Sequence, residues 1–253
     1  MYHKHILLGR FTPELLDSII HGSSQIRNTG ERIAFLSQQF LGAAYAASTL
    51  IGSPGIPEVF VMNLEGVDCF TFIEYVEAMR LSNSYPDLEL NLKWVRYRSG
   101  TVDFTERNHF FTDWRESRKE TIDDVTEAAG GRQTVNIEKM LNKKEDGTCF
   151  LPEIVPVRRE LHYIPAEAIN ATVLKKLRSG DYIGTYSFEQ GLDVSHTGIF
   201  VRHGDNVVLR HASSQENYRG VVDQDFRVYV SGKPGIIVLR SKDVQSDFIR
   251  QMK

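Results

Sequence analysis

Two β-branched runs on either side of Gly204-Asp205 constrain the fold of this chain most strongly. The first run covers residues 195–202 and the second covers residues 207–213. A Gly-Asp pair between two such runs is typical of a tight hairpin, because both residues tolerate the backbone conformations of a two-residue loop. The sequence therefore predicts two adjacent antiparallel strands in the C-terminal half.

The register of this hairpin brings two histidines together. If His203 pairs with Asn206, alternation of side chains puts His196 and His211 on the same face as diagonal neighbours, about 7–8 Å apart at their Cα atoms. Gly198 would face His211 and leave open space beside it. A three-residue loop with a bulge would change this register, so the juxtaposition is a prediction.

Cys69 lies where an extended segment is predicted to meet a helix. Residues 57–62 are apolar and β-prone, and residues 71–80 are rich in helix formers. Free N–H groups and the positive end of the helix dipole would stabilise a thiolate at this position, and the thiolate is the nucleophilic form. The alternative is a cysteine that packs as a small hydrophobic residue.

Together these residues indicate cysteine acyl-transfer chemistry, although either histidine alone would more often be a core residue. Cys69 would be the nucleophile, His196 the base and acid, and His211 the group that orients His196. The backbone N–H of Cys69 is the natural first donor to an oxyanion, and the sequence does not identify the second.

Composition predicts one globular domain spanning residues 1–253, with N-terminal helices over about 1–50 and a charged surface insertion over about 116–148. The chain has 41% hydrophobic and 25% charged residues and a net charge of −3. This balance gives no reason to expect nucleic acid as a partner. Cys149 is expected to be free and structural. No CxxC or zinc-type Cys/His spacing is present, so no metal or cofactor is predicted.

Local patterns predict further elements. Thr12-Pro13 is typical of a helix start, because a capping hydroxyl precedes a proline in the first turn. Helical spacing of apolar residues indicates a second helix from about Glu31. Three later segments are expected to be a strand, a helix and a strand, at residues 92–98, 168–178 and 235–240.

Several short motifs resemble one superfamily of cell-wall hydrolases. They are Asp68-Cys69-x-Thr71-Phe72, the Gly180-Asp181 strand start, His196-Thr-Gly198 and His211-Ala212-Ser213. Together they resemble the NlpC/P60 superfamily, and residues 40–45 are similar to its Leu-Gly-x-x-Tyr element. Residues 63–72, 107–114 and 209–214 resemble its DUF1460 branch, which is described as N-acetylmuramoyl-L-alanine amidase-like. The resemblance extends from about residue 30 to residue 240.

This resemblance implies a papain-like α+β fold, in which a helix carrying Cys69 packs on an antiparallel sheet carrying His196 and His211. It implies hydrolysis of an amide in peptidoglycan or its muropeptide fragments. In this branch the bond joins the lactyl group of N-acetylmuramic acid to L-alanine. Superfamily relatives cut the stem peptide between D-glutamate and the diamino acid, and others transfer acyl groups to or from lipids. A non-catalytic module that binds muropeptides is the remaining alternative.

Three further residues are candidates for substrate binding. Asp68 either binds a free amine of the substrate or caps the Cys69 helix. Asn108 belongs to a polar-aromatic cluster, which is either near the cleft or part of a capped helix. Ser213 lies opposite His196 in the predicted register and either contacts the ligand or ends the strand.

Compartment and oligomeric state stay open at this point. No apolar run has the length that a membrane span requires. Residues 1–9 are too short and too polar for a signal peptide. The resemblance favours the periplasm or cell envelope, whereas recycled muropeptides would permit an intracellular site.

Overall fold

The computed structural model describes residues 3–243, which form eight α-helices and thirteen β-strands. The helices are α1 (Pro13–Ser24), α2 (Thr29–Gln38), α3 (Cys69–Arg80), α4 (Tyr85–Arg96), α5 (Asp113–Ser117), α6 (Thr126–Gly130), α7 (Ala171–Lys176) and α8 (Phe226–Val230). The strands are β1 (Lys4–Leu7), β2 (Ala44–Tyr45), β3 (Ile51–Ser53), β4 (Ile56–Asn63), β5 (Gly66–Val67), β6 (Ile122–Asp124), β7 (Val135–Leu141), β8 (Val157–Pro165), β9 (Tyr182–Tyr186), β10 (Val194–His203), β11 (Asn206–Ser213), β12 (Gly220–Asp225) and β13 (Gly235–Ser241).

A ten-stranded sheet forms the centre of this α+β fold. Its strand order is β5-β2-β12-β11-β10-β9-β13-β8-β7, and β6 pairs with β13. The pairs are antiparallel except for β2 and β5, which are parallel. The sheet is therefore mixed at this edge, which the prediction of an antiparallel sheet did not include, whereas the strands that carry His196 and His211 pair antiparallel with their neighbours. A separate small sheet has the order β1-β4-β3.

The predicted hairpin is present in the predicted register. Strands β10 and β11 pair from Ile199 with Arg210 to His203 with Asn206, so Gly204 and Asp205 form the loop. On its other side β10 pairs with β9, with an irregularity between Val194 and His196. The two histidine-bearing strands are thus central in the sheet.

Helix α3 is the buried helix of the fold. It packs against β10 and β11 on the sheet side and against α2 and α4 on the other. Its apolar side chains, including Phe72, Val76 and Met79, are fully buried. Helices α6, α7 and α8 lie with a second hydrophobic cluster. Because α3 is enclosed on both sides, its first residue is held firmly against the sheet.

Charged residues of α3 are also buried and paired. Arg80 forms an ion pair with Glu77, whose carboxylate also accepts hydrogen bonds from Tyr182 Oη at 2.8 Å and Ser241 Oγ at 2.9 Å. Arg96 of α4 bonds Glu74 at 2.7 Å. Buried charges are costly unless they are paired, so these contacts fix the position of α3 against its neighbours.

Two local predictions differ from the structure. Residues 92–98, predicted as a strand, mostly belong to helix α4, in which Leu88, Leu92 and Val95 form the buried face at helical spacing. Residues 116–148 contribute β6 and β7, which pair with β13 and β8 in the large sheet. None of the helices in residues 3–243 is long and apolar enough to cross a bilayer.

Candidate active site

Cys69 is the first residue of α3, where a capping box begins the helix. Asp68 Oδ1 accepts hydrogen bonds from the N–H groups of Phe70 at 3.0 Å and Thr71 at 2.8 Å. Thr71 Oγ1 accepts from the Asp68 N–H at 3.0 Å. This reciprocal pattern fixes the residues on both sides of Cys69, so the thiol leaves the helix at a defined angle. Cys69 and Cys149 are both free.

The two histidines are hydrogen-bonded to each other. His196 Nε2 lies 2.8 Å from His211 Nδ1, and His211 Nε2 lies 3.2 Å from the side-chain oxygen of Gln224. An amide oxygen only accepts, so His211 carries its proton on Nε2 and accepts the His196 Nε2 proton on Nδ1. This tautomer leaves His196 Nδ1 with a free lone pair, which suits it to act as a base.

Aromatic packing and a glycine hold the histidine pair in place. The Tyr229 ring lies 5.2 Å from the His211 ring and 6.2 Å from the His196 ring, and its hydroxyl is 2.9 Å from Thr185 Oγ1. A Cβ on Gly198 would lie 3.0 Å from the Cβ of His211. The absence of a side chain at Gly198 therefore makes room for His211.

Cys69 and His196 line one cavity of about 260 Å³, hereafter the Cys69 cavity. Most of its other lining side chains are apolar, among them Phe70, Phe110 and Phe150. Thr197 Oγ1 donates to the Cys69 carbonyl at 2.7 Å and so joins β10 to the start of α3. Within residues 3–243 no hydrogen bond links the Cys69 sulfur to an imidazole. Such contacts commonly tighten when substrate binds.

Burial favours the neutral forms of the Cys69 thiol and the His196 imidazole in the free protein. Burial and then the Asp68 charge raise the pKa of the Cys69 thiol to about 11, although hydrogen bonds with Thr197 act in the opposite direction. Burial, followed by the charges of His211 and Lys233, lowers the pKa of His196 to about 3. The expected stabilised thiolate is therefore corrected to a neutral thiol beside a neutral imidazole, because desolvation outweighs the helix dipole.

The three substrate-binding candidates lie in different surroundings: one caps a helix, one lines a cavity and one is buried. Asp68 caps α3 through Oδ1, as one of its two alternatives predicted. Ser213 lines a second cavity together with both histidines. Asn108 is 2% exposed, donates to Val95 O at 2.8 Å and accepts from Ser117 Oγ at 3.0 Å. Its prediction is corrected, because the amide is used inside the protein and Asn108 does not line the Cys69 cavity.

Sequence reasoning missed several residues of this site. Gln224 and Tyr229 contact the histidines from β12 and α8, and no local pattern marks either residue. Tyr45 ends the Leu-Gly-x-x-Tyr element, whose similarity to the superfamily assigns no role to Tyr45. Burial and the charges of Cys69 and Asp68 raise the pKa of Tyr45, so its phenol lies within electrostatic reach of the thiol.

Known proteins resemble this chain over most of its length. The family described as AmiA-like, N-acetylmuramoyl-L-alanine amidase-like, matches residues 35–236. The crystal structure of an N-acetylmuramoyl-L-alanine amidase from Bacteroides uniformis is 27% identical with a TM-score of 0.70, over 85% of this chain and 99% of that chain. LPG0564 from Legionella pneumophila, a DUF1460 protein, is 21% identical with a TM-score of 0.75, over 90% and 94% of the two chains, and at that identity indicates a common fold alone. No curated protein sequence matches.

Proposed function

This chain belongs to the AmiA-like family of N-acetylmuramoyl-L-alanine amidase-like proteins, and we propose that it is a cysteine amidase of peptidoglycan or muropeptides. The bond cleaved is the amide between the lactyl group of N-acetylmuramic acid and L-alanine. The fold would then be the papain-like one of the NlpC/P60 superfamily. The observation that carries the proposal is the chain of contacts from His196 through His211 to Gln224, with Cys69 and His196 lining one cavity.

In the first step, His196 Nδ1 takes the thiol proton of Cys69 while the sulfur attacks the lactyl carbonyl carbon. The imidazolium that forms is stabilised by its Nε2–H bond to His211. Because the resting pair is neutral, proton transfer accompanies attack and does not precede it. This resembles the way a serine–histidine pair works, in which the base acts as the nucleophile adds.

The tetrahedral oxyanion needs two donors beside the sulfur. The backbone N–H of Cys69 is one, because the first N–H groups of a helix have no acceptor within the helix.

The tetrahedral intermediate collapses when His196 Nδ1–H gives its proton to the departing nitrogen of L-alanine. The peptide leaves as a free amine, and a thioester joins Cys69 to the lactyl carbon. A water molecule then loses a proton to His196 Nδ1 and attacks the thioester. Collapse of this second intermediate releases the muramic-acid carboxyl group, which loses its remaining proton to solvent, and His196 Nδ1–H returns its proton to the Cys69 sulfur.

Mass spectrometry of a purified disaccharide-tetrapeptide tests the proposal. We expect the wild-type protein to release an intact disaccharide and an intact tetrapeptide, and Cys69→Ala to release neither. Cys149→Ala is the matched control, because it removes the other free cysteine and should keep full activity. Cleavage inside the stem would make the protein an endopeptidase. No cleavage of either reduced or anhydro muropeptides would contradict hydrolysis altogether.

A further inference from the structure

A second cavity, of about 210 Å³, adjoins the Cys69 cavity. Ser195 and His196 line both cavities, so the two meet at the catalytic base. The second cavity is polar, and its lining includes the hydroxyl or amide groups of Ser213, Ser214 and Gln215. We call it the Lys233 cavity, because Lys233 is the single lysine or arginine among its lining residues.

The charge of Lys233 is not neutralised by its neighbours. Its Nζ lies 5.5 Å from the centre of the Tyr229 ring, and no carboxylate lines the cavity. In the described part of the chain the ammonium has no ion pair and no hydrogen bond. Asp223, the carboxylate that acts on His211, is already paired with Arg210 at 2.7 Å. A cation among hydroxyl and amide groups is suited to bind an anion.

The proton that His196 gives to the departing amine indicates which half of the substrate lies near this cavity. His196 Nδ1 must give its proton to the departing amine, so the peptide half lies beside His196. In the stem, D-glutamate follows L-alanine, so its α-carboxylate is two residues from the departing nitrogen. Two extended residues span roughly 6.6–7.2 Å, and a hydrogen bond at each end adds about 3 Å. The Lys233 Nζ lies 5.5 Å from the centre of the Tyr229 ring, which is itself 6.2 Å from the His196 ring. The lengths are therefore compatible.

We propose that Lys233 binds the α-carboxylate of D-glutamate in the leaving stem peptide, with the Lys233 cavity as the subsite. This inference rests on the amidase activity proposed above. It makes Lys233 a specificity residue that distinguishes stems with a free α-carboxylate from stems in which that group is an amide. Cys69 lines the other cavity, so Lys233 would discriminate between the two kinds of stem without contacting the proposed nucleophile.

Kinetics on two matched muropeptides test the subsite. One carries D-glutamate and the other carries its α-amide. For the wild-type protein we expect KM to be about tenfold lower for the acid, because a charge-assisted hydrogen bond is lost with the amide. Lys233→Met should abolish the preference for the acid over the amide in kcat/KM, whereas Lys233→Arg should keep it. Comparing the two substrates within one variant cancels the effect that the Lys233 charge has on His196. Lys175→Met, which removes an exposed lysine of α7, is the control for net charge.

Binding measurements separate this inference from the proposed function. The dipeptide L-alanyl-D-glutamate, blocked as its γ-methylamide, and the same compound with an α-amide are titrated into Cys69→Ala and into the Cys69→Ala, Lys233→Met double variant by calorimetry. We expect the acid to bind about tenfold more tightly to the first protein and equally to the second. Equal binding of acid and amide to Cys69→Ala would overturn the subsite. A preference that depends on Lys233, in a protein that cleaves no muropeptide, would retain the subsite and reject the amidase.

Discussion

His196 Nε2 lies 2.8 Å from His211 Nδ1, so the two imidazoles share a hydrogen bond in the middle of the large sheet. The next partner of His211 is the neutral amide of Gln224, at 3.2 Å. A neutral acceptor fixes the tautomer of both rings but adds no negative charge. The site therefore controls which nitrogen carries the proton more strongly than it stabilises an imidazolium.

Replacing Gln224 tests this control of the tautomer. We expect Gln224→Ala to lower kcat about 10- to 100-fold with little change in KM, because His211 loses the acceptor that orients it. Gln224→Glu keeps an acceptor oxygen and should restore most of the rate. Gln38→Ala, at an exposed glutamine of α2, is the control. Equal rates for Gln224→Ala and wild type would reject the positioning role.

The lowered pKa of His196 predicts a loss of stability in acid. The folded protein keeps His196 neutral down to a pKa of about 3, whereas the unfolded chain protonates it near 6.5. The unfolded state thus binds more protons between these values, and the free energy of unfolding falls by about 1.4 kcal/mol per pH unit below 6.5. Chemical denaturation from pH 7 to pH 5 should show a smaller loss for His196→Gln. His203→Gln, in the exposed hairpin turn, should behave like wild type.

Asp68 affects the thiol through charge and through the helix cap. Asp68→Asn keeps a capping oxygen but removes the negative charge that helps to raise the pKa of Cys69. We expect faster alkylation of Cys69 by iodoacetamide at pH 8, with an unchanged melting temperature. Asp225→Asn, in the cap of α8, should leave alkylation unchanged. Slower alkylation in Asp68→Asn would contradict this account.

Gly198 is required because β10 passes very close to β11. A Cβ at this position would be 2.9 Å from the Arg210 carbonyl oxygen and 3.0 Å from His211 Cβ. Gly198→Ala should displace His211, reduce kcat more than tenfold and lower the stability by about 1–3 kcal/mol. Gly22→Ala, at a helical glycine with open space around it, should keep both activity and stability. Thermal melts and initial rates measure the two effects.

The buried carboxylate of Glu77 should contribute strongly to stability. Glu77→Gln leaves Arg80 buried without its counter-ion and weakens the bonds from Tyr182 and Ser241. We expect a loss of about 3 kcal/mol in the free energy of unfolding, measured in urea. Glu138→Gln breaks an exposed ion pair with Arg158 and should leave the urea midpoint unchanged. Similar losses in both variants would contradict the importance of burial.

Local signals predicted much of the framework of the candidate site. Gly204-Asp205 determined the hairpin loop, and period-two alternation then placed His196 and His211 on one face. The change from β-prone residues 57–62 to helix formers at 71–80 predicted that a helix begins close to Cys69, and α3 begins there. In each case the interacting groups are close along the chain, so their pattern is visible in the sequence.

Other predictions failed or were missed because distant segments decide them. Residues 92–98 contain β-prone residues, but packing of α4 against α3 places them mostly in a helix. Asn108 is buried because Val95 and Ser117 satisfy its amide. No short-range sequence pattern predicts these contacts, because the partners belong to different elements of the fold.

The sequence by itself predicted the hairpin, the helix that begins at Cys69 and the order of the candidate catalytic residues, because turns, caps and strand alternation depend on neighbouring residues. Only the tertiary structure decided the protonation of Cys69 and His196, since burial by the assembled core raises one pKa and lowers the other. It also brought Gln224, Tyr229 and Lys233 to the histidines. Desolvation and long-range contacts exist only after the chain has folded, and for that physical reason they cannot be found from spacing alone.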